Sequence, residues 1–201
     1  MFETDQVMSP LSDVKVLGVT VYLAGPFTLM NLARLGADAI KVERPGYGDP
    51  TRLNGPFATP SGYSNTQDDP SHLSTRFLKR SQGLKSITLN LKSEKGRKIF
   101  LDLAAKSDVV VENLSPGAMT RLGLAYDDIK SINPAIIYAS ISLPFFTSPI
   151  LEGRTANPLA FTIEVSIPEP CIPVELKKYF PSLFSSITLA KFVLPFLFLK
   201  S

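Results

Sequence analysis

The sequence predicts an α/β domain with a doubly wound, mostly parallel sheet, followed by an irregular tail rich in proline and phenylalanine. Three observations carry this. Along residues 10–142, short β-branched apolar runs alternate with segments of helical periodicity, the pattern of parallel strands joined by right-handed crossovers. Hydrophobic residues make up 44% of the 201 and charged residues 19%, which supplies a sizeable core. The punctuation of the chain then changes after Ser142. The first 142 residues hold 11 of the 12 glycines and every aspartate, whereas the last 59 hold 8 of the 17 prolines and 8 of the 13 phenylalanines. Turns in α/β domains draw on Gly, Asn and Asp. Residues 10–142 are therefore read as one unit and 143–201 as a divergent, poorly packed tail.

Each element has a local reason. Val14–Val21 is a β-branched run typical of a buried strand. Ala24-Gly25-Pro26 follows, with Pro26 suited to the first turn of a helix that runs to Leu35 and stops at Gly36. Asp38–Glu43 is a second strand, closed by Arg44-Pro45-Gly46, and a long Gly-, Pro-, Ser- and Asn-rich loop extends from Gly46 to Pro70. Ser86–Leu91 is a third strand. Ser93 caps a helix whose Ile99, Phe100, Leu103 and Ala104 form one apolar stripe. Asp108–Asn113 and Ala135–Ser142 are the fourth and fifth strands, with short helices at Gly117–Leu122 and Asp127–Ile132 between them. The whole is Rossmann-like in its winding.

Composition excludes several functions. A net charge of +3, scattered along the chain, does not describe a nucleic-acid protein. One cysteine, Cys171, and one histidine, His72, leave neither a disulfide framework nor a Cys/His metal cluster. No G-x-x-x-x-G-K-[ST] occurs, and the turn after the first strand reads YLAGPF instead of G-x-G-x-x-G, so neither a P-loop nor a nicotinamide site is expected. The polar, acidic start resembles no secretory or transit signal, and the default compartment is cytoplasmic.

An open parallel sheet binds ligands outside the carboxyl ends of its strands, where helix N-termini present free N–H groups. Three strand ends carry suitable chemistry: Tyr22–Pro26, Glu43–Asp49 with Arg44 at the rim, and Glu112–Gly117 followed by Arg121. Two guanidiniums, the carboxamide of Asn113 and a helix N-terminus suit a phosphorylated, nucleotide-like ligand. The same residue types also serve as plain surface charges and a strand-end turn.

Several blocks resemble the class III CoA-transferases, the CaiB/BaiF type that includes formyl-CoA, carnitine and succinyl-CoA transferases and α-methylacyl-CoA racemase. They are LAGPF at 23–27, LGADAIKVERPGYGDPTR at 35–52, KSITLNLKSEKGRKIF at 85–100 and DVVVENLSPGAMTRLGLAYDDIKSINPAIIYASIS at 108–142. The resemblance implies coenzyme A contacts from Leu23, Ala24, Arg44, Asn113, Leu114 and Arg121. Lys85 keeps its place in a stretch, Ser81–Ser86, that lacks the family's two asparagines. It implies acyl-CoA and small carboxylic acids as substrates, no tightly bound cofactor, no metal, and an interlocked homodimer. Mitochondrial or peroxisomal settings are also compatible with the family.

The implied reaction is acyl transfer through an aspartate nucleophile, suited to the task because each covalent step trades one activated acyl bond for another. That aspartate belongs downstream of the fifth strand, after a glycine-rich turn. Here Leu143–Pro149 replaces the turn, and no aspartate follows Asp128. No catalytic residue is therefore assigned, and by the resemblance the chain is expected to be a truncated, inactive form whose sheet is incomplete, with one edge unpaired. Two other readings compete: a CoA- or nucleotide-binding module without catalysis or a partner of a full-length sibling, and a protein anchored in membranes through Ser182–Leu199, where Lys191 and Pro195 interrupt the apolar run.

Overall fold

The computed structural model describes residues 9–142, with the strands Phe161–Ser166 and Phe192–Leu194. The rest of the expected tail lies outside the described residues, as does most of Ser182–Leu199. In chain order the elements are β1 (Lys15–Val19), α1 (Ala24–Arg34), β2 (Asp38–Glu43), a 3-10 turn (Pro50–Leu53), β3 (Phe57–Thr59), β4 (Gly62–Ser64), β5 (Leu73–Ser74) and α2 (Thr75–Arg80). They continue as β6 (Lys85–Thr88), α3 (Glu94–Ala104), β7 (Val109–Glu112), α4 (Ala118–Leu122), α5 (Tyr126–Lys130), β8 (Ile137–Ser142), β9 (Phe161–Ser166) and β10 (Phe192–Leu194).

The main sheet runs β10-β9-β8-β7-β1-β2-β6. The five strands β8-β7-β1-β2-β6 are parallel, with Leu17 of β1 level with Ile40 on one side and Val110 on the other. The chain moves outward from β1 through β2 to β6, then returns to place β7 on the other side of β1. That reversal is the topological switch point of a doubly wound sheet. β9 pairs antiparallel with β8, and β10 with β9, so the edge expected to be bare is covered in the described residues. β6 pairs with β2 alone among them.

Successive strand residues feed two cores because side chains alternate across a sheet. Leu17, Val19 and Val110 meet Phe100, Ala104, Met119 and Ile129 on one face, under α3, α4 and α5. Val16, Ala39 and Val111 meet Leu29 of α1 on the other. Gly18 makes that second contact possible, since a Cβ there would lie 2.2 Å from Leu29 Cδ1. In α3 the buried line is Gly96, Phe100 and Ala104, and Ile99, expected within the stripe, is 38% exposed. One residue of helical rotation, 100°, carries it off the contact face. Ser93 caps this helix as expected, its Oγ accepting from Gly96 N–H at 3.1 Å. Ser93→Ala is expected to lower the urea midpoint by an amount worth about 1 kcal/mol with the slope unchanged.

The segment expected as a loop from Gly46 to Pro70 is folded. It contains the 3-10 turn and, with β5, a small antiparallel sheet in the order β4-β3-β5. Strands of two or three residues are too short to show an alternating pattern in sequence.

Candidate functional site

A cleft of about 750 Å³ opens at the carboxyl ends of β1, β2 and β7. Its walls come from Val19–Val21, Val42–Pro45, Tyr47–Pro50 and Leu89–Lys92, with Leu53, Leu114 and Leu122. Arg44 and Lys92 both reach it, and neither forms an ion pair among the described residues. The Arg44 guanidinium stands 5.1 Å from the ring centre of Tyr47. Thr20 is 1% exposed, and its Oγ1 has no hydrogen-bond partner among the described residues. Beside it α1 begins with Leu23 in the capping position, a side chain that accepts no hydrogen bond, and with Pro26, which has no N–H. The N–H groups of Ala24 and Gly25 thus have no partner within the helix.

Of the other expected contact residues, some lie at this cleft and some away from it. Leu114 lines it. Leu23 and Ala24 lie where the β1–α1 turn enters the helix, Leu23 at the cap and Ala24 as the first residue of α1. Asn113 spends its carboxamide on the same turn: Oδ1 accepts from Val21 N–H at 2.8 Å and Nδ2 donates to Val21 C=O at 2.9 Å. A Cβ on Gly25 would lie 2.7 Å from Asn113 Oδ1 and 2.6 Å from Thr20 Cβ, so glycine is what lets these turns meet. Arg121 bends back over the turn that precedes its own helix, Nη1 donating to Pro116 C=O at 3.4 Å. Lys85 opens β6 and pairs at 2.7 Å with Asp38, the first residue of β2. It stands at the amino ends of these strands, away from Arg44.

Beneath the cleft floor lies a group of charges that the sequence reading overlooked. Lys41 sits in the middle of the interior strand β2, 1% exposed, and pairs with the buried carboxylate of Asp49. Asp49 Oδ1 accepts from Thr51 N–H at 2.8 Å, Thr51 Oγ1 at 2.7 Å and Tyr22 N–H at 3.3 Å. Glu43 accepts twice from Arg52, at 2.8 and 2.7 Å, and also from Ser86 Oγ and Asp49 N–H, each at 2.7 Å. Burial would raise the Glu43 pKa, but these hydrogen bonds and the Arg52 charge outweigh it and bring the group down to about 2. Together the residues tie the Arg44–Arg52 loop to the sheet. A signal was available: a lysine in an interior strand must find a buried partner.

Glu112 behaves in the opposite way. It is buried at the end of β7, where Oε1 accepts from Ser140 Oγ and Oε2 from Leu114 N–H at 2.8 Å. Burial dominates and raises its pKa, with the two hydrogen bonds pulling down. The hydroxyl of Tyr138 is pushed up as well, by burial first and then by the Glu112 charge. A carboxyl raised in the folded state contributes stability below its ordinary value of 4.5 that is lost as pH rises through the folded value. Glu112→Gln is therefore expected to melt higher than the parent at about pH 7 and level with it at about pH 4. A lower melting temperature at neutral pH would contradict this.

Among the described residues no group of three His, Cys, Asp or Glu side chains is placed to hold a metal ion, and no helix is long and apolar enough to cross a membrane.

Comparison with known proteins gives a consistent result. The human succinyl-CoA:glutarate CoA-transferase is 43% identical over 171 residues, covering 83% of this chain and 36% of the relative. That aligned share is more than residues 1–142 supply, so the alignment runs past Ser142. An acetyl-CoA:oxalate CoA-transferase of Acetobacter aceti is 42% identical over 133 residues, 66% of this chain and 31% of the relative. A CAIB/BAIF family protein from Brucella suis superposes with a TM-score of 0.58 at 38% identity, over 66% of this chain and 33% of its own. The chain thus spans about a third of the length of these relatives. The profile of CoA-transferase family III matches residues 11–144, a stretch that takes in the five parallel strands and the cleft at their carboxyl ends, and to that family the chain belongs.

Proposed function

We propose that the described region is the coenzyme A-binding part of a CoA-transferase, with a CoA thioester seated in the cleft. The observation that carries this is the cleft itself: it lies at the switch point, it is large enough for part of a nucleotide-like ligand, and two cations that have no carboxylate partner among the described residues, Arg44 and Lys92, line it. Guanidinium and ammonium groups at that rim suit phosphate oxygens. The start of α1, whose first N–H groups have no partner within the helix, follows closely on the cleft-lining residues Val19–Val21. Both named transferases pair an acyl-CoA with a carboxylic acid, and the proposed substrates follow at that level, an acyl-CoA thioester and a small carboxylic acid.

The transfer step calls for an aspartate nucleophile downstream of β8. No aspartate follows Asp128. This chain is accordingly proposed to bind CoA without turnover. Titration calorimetry with CoA tests the first half: Arg44→Ala and Lys92→Ala are each expected to weaken binding about ten-fold and to reduce its salt dependence. Unchanged affinity in both variants would remove the cleft from the reading. Acyl exchange between an acyl-CoA and a free acid tests the second half, and sustained turnover by this chain would overturn it.

A further inference from the structure

Tyr22 adopts φ of 64°, the left-handed region that a bulky side chain avoids. Such a residue persists only where its surroundings over-determine it. Here they do. All four backbone polar groups of Val21 and Tyr22 are bonded to side chains from three distant segments. Asn113 takes both groups of Val21, Asp49 Oδ1 accepts from Tyr22 N–H, and Arg80 Nη1 donates to Tyr22 C=O at 3.3 Å. Asp49 is in turn held by Lys41 and Thr51. On either side of this fixed dipeptide stand the Thr20 hydroxyl, which has no partner among the described residues, and the first N–H groups of α1, which have none within the helix.

We infer that Asp49 and Arg80 are positioning residues for ligand recognition: they hold Tyr22 in its left-handed conformation, which sets the Thr20 hydroxyl and the first N–H groups of α1 toward one ligand. The inference rests on the reading that a CoA thioester occupies the cleft. Neither residue needs to touch the ligand. Without their bonds Tyr22 relaxes toward an ordinary φ, the donors after it rotate away from Thr20, and binding must restore the turn at its own cost.

The test is a double-variant cycle read by CoA titration calorimetry. Arg80→Met and Asp49→Ala, which removes the Oδ1 acceptor, are each expected to weaken CoA binding, by about ten-fold for the full release of a left-handed residue. Tyr22→Gly removes the penalty on positive φ, so the pairs Arg80→Met/Tyr22→Gly and Asp49→Ala/Tyr22→Gly are expected to regain most of the loss. Rescue by a glycine at position 22 is what a merely structural role would not give. Parental affinity in Arg80→Met, or double variants as weak as the singles, overturns the inference. Should Asp49→Ala fail to fold, the Arg80 series on the exposed side of the turn decides alone. Absence of CoA binding by the parent chain would instead sink the reading of the cleft. Hydrogen exchange at the Val21 and Tyr22 amides then decides whether the turn is held: faster exchange in Arg80→Met, reversed by Tyr22→Gly, supports the hold, and unchanged exchange refutes it.

Discussion

Lys41→Met is expected to destabilise the protein by about 3–5 kcal/mol, the cost of leaving the other half of a buried ion pair without its partner. Both side chains are withdrawn from water, at 2% and 0% exposure. The surviving Asp49 carboxylate cannot be hydrated where it lies, and its bonds to Thr51 and Tyr22 offset only part of the lost charge partner. The cost should belong to the orphaned charge more than to the missing ammonium. Lys41→Met/Asp49→Asn, which keeps the Oδ1 acceptor and removes the charge, is therefore expected to recover most of the loss. Urea midpoints of the two variants check this. A Lys41→Met cost below about 1 kcal/mol would mean that water reaches the pair.

Glu43→Gln is the second large effect, and pH gives it a signature. Burial works against the ionised carboxylate, yet the two Arg52 bonds, Ser86, the Asp49 N–H and the Arg52 charge together hold its pKa near 2, against an ordinary 4.5. A group depressed in the folded state binds protons more readily when unfolded. Its contribution is thus fully present above about 4.5 and is lost as pH falls toward 2. A shift of this size corresponds to about 3 kcal/mol at neutral pH. Glu43→Gln is expected to show that deficit at about pH 7 and to approach the parent as pH drops through the window. A deficit that stays constant with pH would assign the loss to packing instead of charge.

Much of the architecture was legible because its signals are local and repeated. Asp38–Glu43 reads as a strand from its own composition, Ser93 as a cap from the helix that follows, and Gly36 as a stop from its position. Pairings between distant segments were not legible. Nothing in KVERPGYGDPTR states that Lys41 will be sealed against Asp49, or that Glu43 will be clasped by Arg52, until β2 is known to be interior and the loop to fold back over it. Val14–Val21 reads as continuous strand, whereas the hold of Asn113, Asp49 and Arg80 on Val21 and Tyr22 ends it at Val19. Asn113 was expected among the contact residues on the strength of its motif. Its carboxamide is engaged with backbone 92 residues earlier, a partnership invisible along the chain.

That separation has a consequence for how the region folds. The bonds between Val21 and Asn113 close a loop of 92 residues, and loop closure must be met before the contact returns any energy. The β1–α1 turn therefore cannot take its final shape while only the first half of the sheet exists. During synthesis β1, α1 and β2 emerge long before β7, and until β7 docks beside β1 the turn lacks two of its four restraints. The ligand-facing geometry is thus acquired late, as one of the last events in assembling the parallel sheet, although its residues are among the first to be made.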